Sequence, residues 1–228
     1  NYGLERGEFD NEFLELPWEY VRIPAEHRAA ALYAMLLQPL KQADTAGTAL
    51  FVHGITWNRY GMLKYMQPFV EKGWRVIALD LGGHGDSPRG TIPSPSYGYH
   101  EKYDIQAAIT WIEKTFETYK PVILIGESMG AATVLQYAPL GAPADTDREK
   151  WHIDAIIADC PYSSAADELD ARMKAMHVPS FVSYAVRRQV SRYSQWFRAY
   201  TLEDISPKQA IMNTNVPILF VHGSRDTY

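Results

Sequence analysis

A chain of 228 residues with 46% hydrophobic and 21% charged residues has a globular balance, with enough apolar material to cover a parallel sheet on both faces; a disordered or fibrous chain is excluded. The 22 Lys and Arg against 27 Asp and Glu give a net charge of -5, the wrong sign for a phosphate backbone, so nucleic acid is excluded as a partner. Cys160 is the only cysteine, which removes internal disulfides and cysteine-built metal sites, and no apolar run reaches the roughly 20 residues of a membrane-spanning helix.

Short apolar, β-branched runs predict strands at Trp18 to Ile23, Ala31 to Leu37, Thr48 to Val52, Arg75 to Asp80, Pro121 to Ile125, Ile153 to Asp159 and Val216 to Val221. Helix-length patterns follow at Tyr60 to Lys72, His100 to Tyr119, Met129 to Ala138 and Ile205 to Asn213. The alternation predicts an α/β fold, a mostly parallel sheet flanked by helices, with an antiparallel start where no helix separates the first two runs. One domain over residues 1–228 is expected, since such sheets use about 200 to 250 residues. Pro139 to Lys150, rich in Pro, Gly, Ala and acids, predicts a surface loop. Residues 161–206 are too long for an ordinary connection and carry helical apolar spacing, so a helical insertion is expected, packed on the sheet or also roofing a site. Its aromatic residues, with Tyr162, Phe181, Tyr184 and Trp196, hint at an apolar pocket and would serve a core equally well.

The chemistry concentrates at Gly126-Glu127-Ser128-Met129-Gly130, which stands between a strand and a helix. Two glycines there permit a turn tight enough to expose a serine above the sheet beside a helix N-terminus, making Ser128 the candidate nucleophile. His53-Gly54-Ile55-Thr56 ends another strand where a backbone donor is needed, so the amides of Ile55 and Met129 are the candidate oxyanion hole. Asp80 to Ser87 is glycine-rich but lacks a P-loop lysine and dinucleotide spacing, and His84 is expected to hydrogen-bond within that loop. Asp226 follows the last strand and is preferred as catalytic acid over Asp159, which is expected to fix the base of the insertion. No cofactor or metal is expected, and the compartment is open.

In order, His53-Gly54, Asp80 with Gly83 to Ser87, Gly126 to Gly130, and His222-Gly223 with Asp226 resemble the α/β-hydrolase superfamily. Asp159 to Ser164 and the helical insertion resemble its bacterial serine-aminopeptidase-like or BAAT-like esterases, and the likeness runs from about Phe13 to Tyr228. It implies a serine hydrolase acting without a cofactor on a small-molecule ester, thioester or amide through Ser128, Asp226 and the Ile55 and Met129 amides. In the family the catalytic histidine follows the acid by some tens of residues, after one more strand, and no histidine here holds that position. A further strand, its helix and that histidine are therefore expected to be missing from this chain, leaving Val216 to Val221 as an apolar edge prone to association. The alternative is a non-catalytic binding protein that keeps the hydrolase fold.

Overall fold

The structure, a computed structural model, describes residues 11–39, 45–92, 95–116, 121–141 and 153–224. All seven apolar runs form strands: β1 (Glu19–Ala25), β2 (Ala30–Leu37), β3 (Thr48–Val52), β4 (Arg75–Leu79), β5 (Val122–Glu127), β6 (Ala155–Asp159) and β7 (Ile218–Val221). They join in one sheet ordered β1-β2-β4-β3-β5-β6-β7. β2 pairs antiparallel with β1 and β4, while the remaining pairs are parallel.

A helical turn, Asn11–Leu14, precedes the sheet. The helices after it are α1 (Leu63–Glu71), entered through a 3-10 turn at Arg59–Met62, α2 (Glu101–Thr115), α3 (Met129–Gly141), α4 (Ala165–Ala175), α5 (Ser180–Arg198) and α6 (Pro207–Ala210). The period-two alternation of β3 explains the layering: Leu50 and Val52 enter one core with α2 and α3, and Ala49 and Phe51 enter another with α1 and Phe13. β3, with every residue buried, is the sheet's centre.

α3 is buried along nearly its whole length, because Gly130, Ala131, Ala132 and Ala138 are small enough to let it lie close on the sheet. It runs through Pro139 to Gly141, where a loop was expected. That last turn is held by packing: Ile153 N donates to the Gly141 carbonyl at 3.0 Å, and a methyl group on Gly141 would strike the Ile153 side chain. The rest of the expected loop, 142–150, lies outside the described residues.

The insertion is the expected helical pair, α4 and α5. Ser164 caps α4 by accepting from Asp167 N at 3.0 Å, and α5 ends on Ala199 in the left-handed region at φ 62°. Along β7, Leu219, Phe220 and Val221 are exposed.

Candidate active site

Parallel pairing in register brings the chemistry to one edge. Leu79, Val52, Gly126, Ala158 and Phe220 form a single row across five strands, so the segments that follow each of them emerge side by side. Those segments start at Asp80, His53, Glu127-Ser128, Asp159 and Val221-His222. This is the carboxyl edge of the sheet, where ligand sites of open α/β folds form.

Ser128 sits between β5 and α3 at φ 53°, in the left-handed region that costs a side-chain-bearing residue about 1 kcal/mol or more. Its amide donates to the Asp159 carbonyl at 2.8 Å, which pins the turn to β6. The flanking glycines are required by space. A Cβ on Gly126 would lie 2.5 Å from the Ala131 amide nitrogen, and one on Gly130 would overlap the Val52 carbonyl oxygen. The turn is therefore as tight as the sequence requires, with Ser128 half-buried.

Gly54 lies directly beside it, since a Cβ there would stand 3.3 Å from the Ser128 Cβ. That places the Ile55 amide and the Met129 amide on the two loops that border the serine. Among the described residues neither amide donates to another protein group. No described side chain is hydrogen-bonded to the Ser128 hydroxyl.

His53 is fully committed elsewhere. Its Nδ1 donates to the Gly54 carbonyl at 2.7 Å and its Nε2 accepts from Leu81 N at 3.1 Å, which defines a neutral ring. Burial drives its pKa down to about 4, and the neighbouring His84 ring adds to the shift. Because the folded value lies below the unfolded 6.5, the unfolded chain takes up the proton first, so this contribution is complete above pH 6.5 and lost as pH falls towards 4. At about 1.4 kcal/mol per pH unit the loss is about 3 kcal/mol. An NMR titration of the His53 ring tests this, and a pKa near 6.5 would overturn the assignment.

The glycine-rich loop after β4 is structural. The amides of Leu81, Gly82, Gly83, His84, Asp86 and Ser87 all donate within the protein: to His53, Asp104, Ser87, Leu81, Asp80 and His84 respectively. No such amide is left to cradle a phosphate. Asp80 is the loop's buried centre, accepting from Arg59 N at 2.6 Å, from Asp86 N at 2.9 Å and from the Arg59 guanidinium. The second anchor is Arg28, which holds Asp104 through Nε at 2.5 Å and Nη2 at 2.9 Å. The expectation for His84 needs correction: its loop hydrogen bonds are made by its backbone, and among the described residues its buried Nδ1 has no hydrogen-bond partner. Its ring packs on His53, centroids 5.0 Å apart.

The Asp159 carboxylate is engaged by other side chains. Its Oδ2 accepts from the Tyr65 hydroxyl of α1 at 2.5 Å and its Oδ1 lies 3.1 Å from the Cys160 thiol, so only the latter contact matches the expected anchoring of the insertion. Burial raises the Tyr65 pKa strongly, and the hydrogen bond to Asp159 and the nearby Glu127 charge add to it. Glu127 pairs with Lys64 at 2.7 Å on the same side. Sequence spacing gave no sign of these α1 partners, which meet the strand ends only through packing. Asp226 lies outside the described residues; β7, which leads to it, ends in register with Asp159. The aromatic residues of the insertion divide: Tyr162, which donates to the Tyr97 carbonyl at 2.6 Å, lines a hollow with Leu135, Phe220 and His222, and Trp196 lines another with Phe197 and Tyr200, while Phe181 and Tyr184 are exposed.

Comparison with known proteins agrees with this arrangement. The chain is 32% identical over 186 residues to the Bacillus subtilis protein YqkD, covering 81% of this chain and 57% of that protein's length. It is 26% identical over 148 residues to the mouse sn-1-specific diacylglycerol lipase ABHD11, covering 64% of this chain and 45% of that one. The Pyrococcus furiosus esterase Pf2001 superposes with a TM-score of 0.65 at 23% identity, over 97% of this chain and 75% of that chain. The chain thus spans only about half of the length of these curated relatives. The family model for the α/β hydrolase fold matches residues 49–213, from β3 through the Ser128 turn and the helical pair, and this chain belongs to that family.

Proposed function

We propose that the protein is a serine hydrolase that cleaves a carboxylic ester, thioester or amide of a small molecule through an acyl-enzyme on Ser128. The observation that carries this is the strained serine at φ 53°, set beside Gly54 and between two amides with no protein partner. Strain of that kind persists where surrounding structure enforces it, and a binding protein has no use for a serine so placed. The lipase and esterase names among the similar proteins support the same class of substrate.

In the proposed reaction the Ser128 hydroxyl attacks the carbonyl carbon as its proton passes to a base that is not among the described residues. The amides of Ile55 and Met129 stabilise the resulting oxyanion, helped by the N-terminal end of α3. Collapse of the intermediate expels the alcohol, thiol or amine, and water then releases the acid and restores Ser128. Asp226 is the proposed acid that orients the base, supported by the placement of β7 on the serine's edge. The helical pair, inserted directly after β6 on that edge, is proposed as the cap that shapes the acyl site.

A fluorophosphonate probe tests the nucleophile, because it reacts only with an activated serine. Peptide mapping of the full-length protein is expected to find one adduct, on Ser128. Full-length protein that remains unlabelled would overturn the proposal and leave a hydrolase-fold binding protein.

A further inference from the structure

Helix α5 is inverted relative to an ordinary surface helix. At 100° per residue, Val182, Val186, Val190, Tyr193 and Phe197 fall on one stripe, with Ala185 and Trp196 alongside. Such a stripe normally faces a core. Here its C-terminal aromatics face outward: Tyr193 is 58% exposed, Phe197 66% and Trp196 86%, while Val182, Val186 and Val190 lie at the edge of the buried side.

The inward side is polar, and the protein satisfies it. Ser183 and Ser194 are buried, and Arg187 pairs with Asp170 of α4 at 2.8 Å and approaches Glu203 at 3.8 Å. Ser191 donates to Glu203 and accepts from Leu202 N at 3.1 Å. Rolling the helix to hide its apolar stripe would break all of these contacts, so the aromatic end of the stripe is held out.

Charge identifies what it meets. Ser180–Arg198 contains four arginines and no acid, in a chain whose net charge is -5. Arg192 is exposed at the margin of the stripe, next to Ala185 and Trp196, and Arg188 is exposed about 40° further round the helix; among the described residues neither is ion-paired. A second copy of α5 would set arginines against arginines with no acid to answer them. An anionic lipid surface supplies the missing charge, and Trp and Tyr beside Arg are the side chains that settle at a headgroup boundary.

We propose that α5 docks the protein flat on an anionic phospholipid bilayer, its apolar stripe at the edge of the acyl region and Arg188 and Arg192 on lipid phosphates. The contact would run the length of the helix, about 28 Å. It is peripheral: no described helix is long and apolar enough to cross a membrane. The proposal does not depend on the chemistry at Ser128.

The test is co-sedimentation of the full-length protein with vesicles of phosphatidylglycerol and phosphatidylcholine, against phosphatidylcholine alone, at low and physiological salt. Binding is expected only with phosphatidylglycerol and should weaken as salt rises. The double variant Arg188→Gln/Arg192→Gln should lose at least about tenfold in partitioning. The triple variant Tyr193→Ser/Trp196→Ser/Phe197→Ser should lose binding altogether with its melting temperature unchanged, and vesicles should shift the emission of Trp196 to the blue, a shift absent from Trp196→Phe. No binding, or equal binding by both multiple variants, would overturn the proposal. So would a dimer that the triple variant dissociates, which gives the stripe to a second copy, or a Trp196 shielded from quenchers in the free full-length protein, which gives it to another part of the same chain.

Discussion

Ser128→Ala in the full-length protein is expected to lower kcat towards an activated ester by on the order of 10⁴-fold or more, while changing stability by less than about 0.5 kcal/mol. The two halves of this expectation come from different observations. Loss of turnover follows from removing the attacking oxygen, for which the site offers no substitute. Unchanged stability follows because Ser and Ala both carry a Cβ, so the cost of φ 53° is the same, and because the hydroxyl is not hydrogen-bonded to any described side chain. Steady-state kinetics and urea unfolding of both proteins test it. Retained turnover would remove Ser128 from the mechanism, and a large drop in stability would make its hydroxyl a structural group.

Asp80→Ala is expected to cost about 3 to 5 kcal/mol, the range for leaving one half of a buried ion pair without its partner. Asp80 is fully buried, and its loss would leave the Arg59 amide and the Asp86 amide without their acceptor and the Arg59 guanidinium without its buried counter-charge, keeping only the exposed Asp86 carboxylate at 2.6 Å. Gly85 is closed around the same carboxylate, and the Asp86 side chain, being exposed, is a weaker counter-charge than the buried Asp80. Urea unfolding measures the loss. The double variant Asp80→Leu/Arg59→Met should be less destabilised than Asp80→Ala, because both charges leave the interior together. If the double variant is the weaker of the two, the cost lies in packing and not in the unpaired charge.

The sheet was legible because its signal is local. Seven apolar runs of strand length, separated by turn residues and helical patterns, require only the period of side chains along a strand, and all seven strands formed near the expected places. The tight turn at Ser128 was legible for the same reason: Gly126, Ser128 and Gly130 are close in sequence, and the steric need for both glycines is met by neighbours in the turn and on β3. The Pro139 to Gly141 turn was misjudged because composition favoured a loop while Ile153, distant in sequence, held the helix together.

The sequence by itself determined the α/β class, the strand–turn–helix unit around Ser128, and the glycine-bearing loop that carries Ile55, since each depends on neighbours within a few residues. Only the tertiary structure decided what those units do to one another. It put Gly54 against Ser128 through the β3–β5 register, turned Asp159 to Tyr65, and bound both His53 nitrogens so that this histidine is a neutral strut. It also decided that α5 shows the aromatic end of its apolar stripe to the outside, which the periodicity of the helix could not reveal. Periodicity separates two faces of a helix, but which face turns inward depends on partners such as Asp170 and Glu203 that the fold brings from elsewhere in the chain.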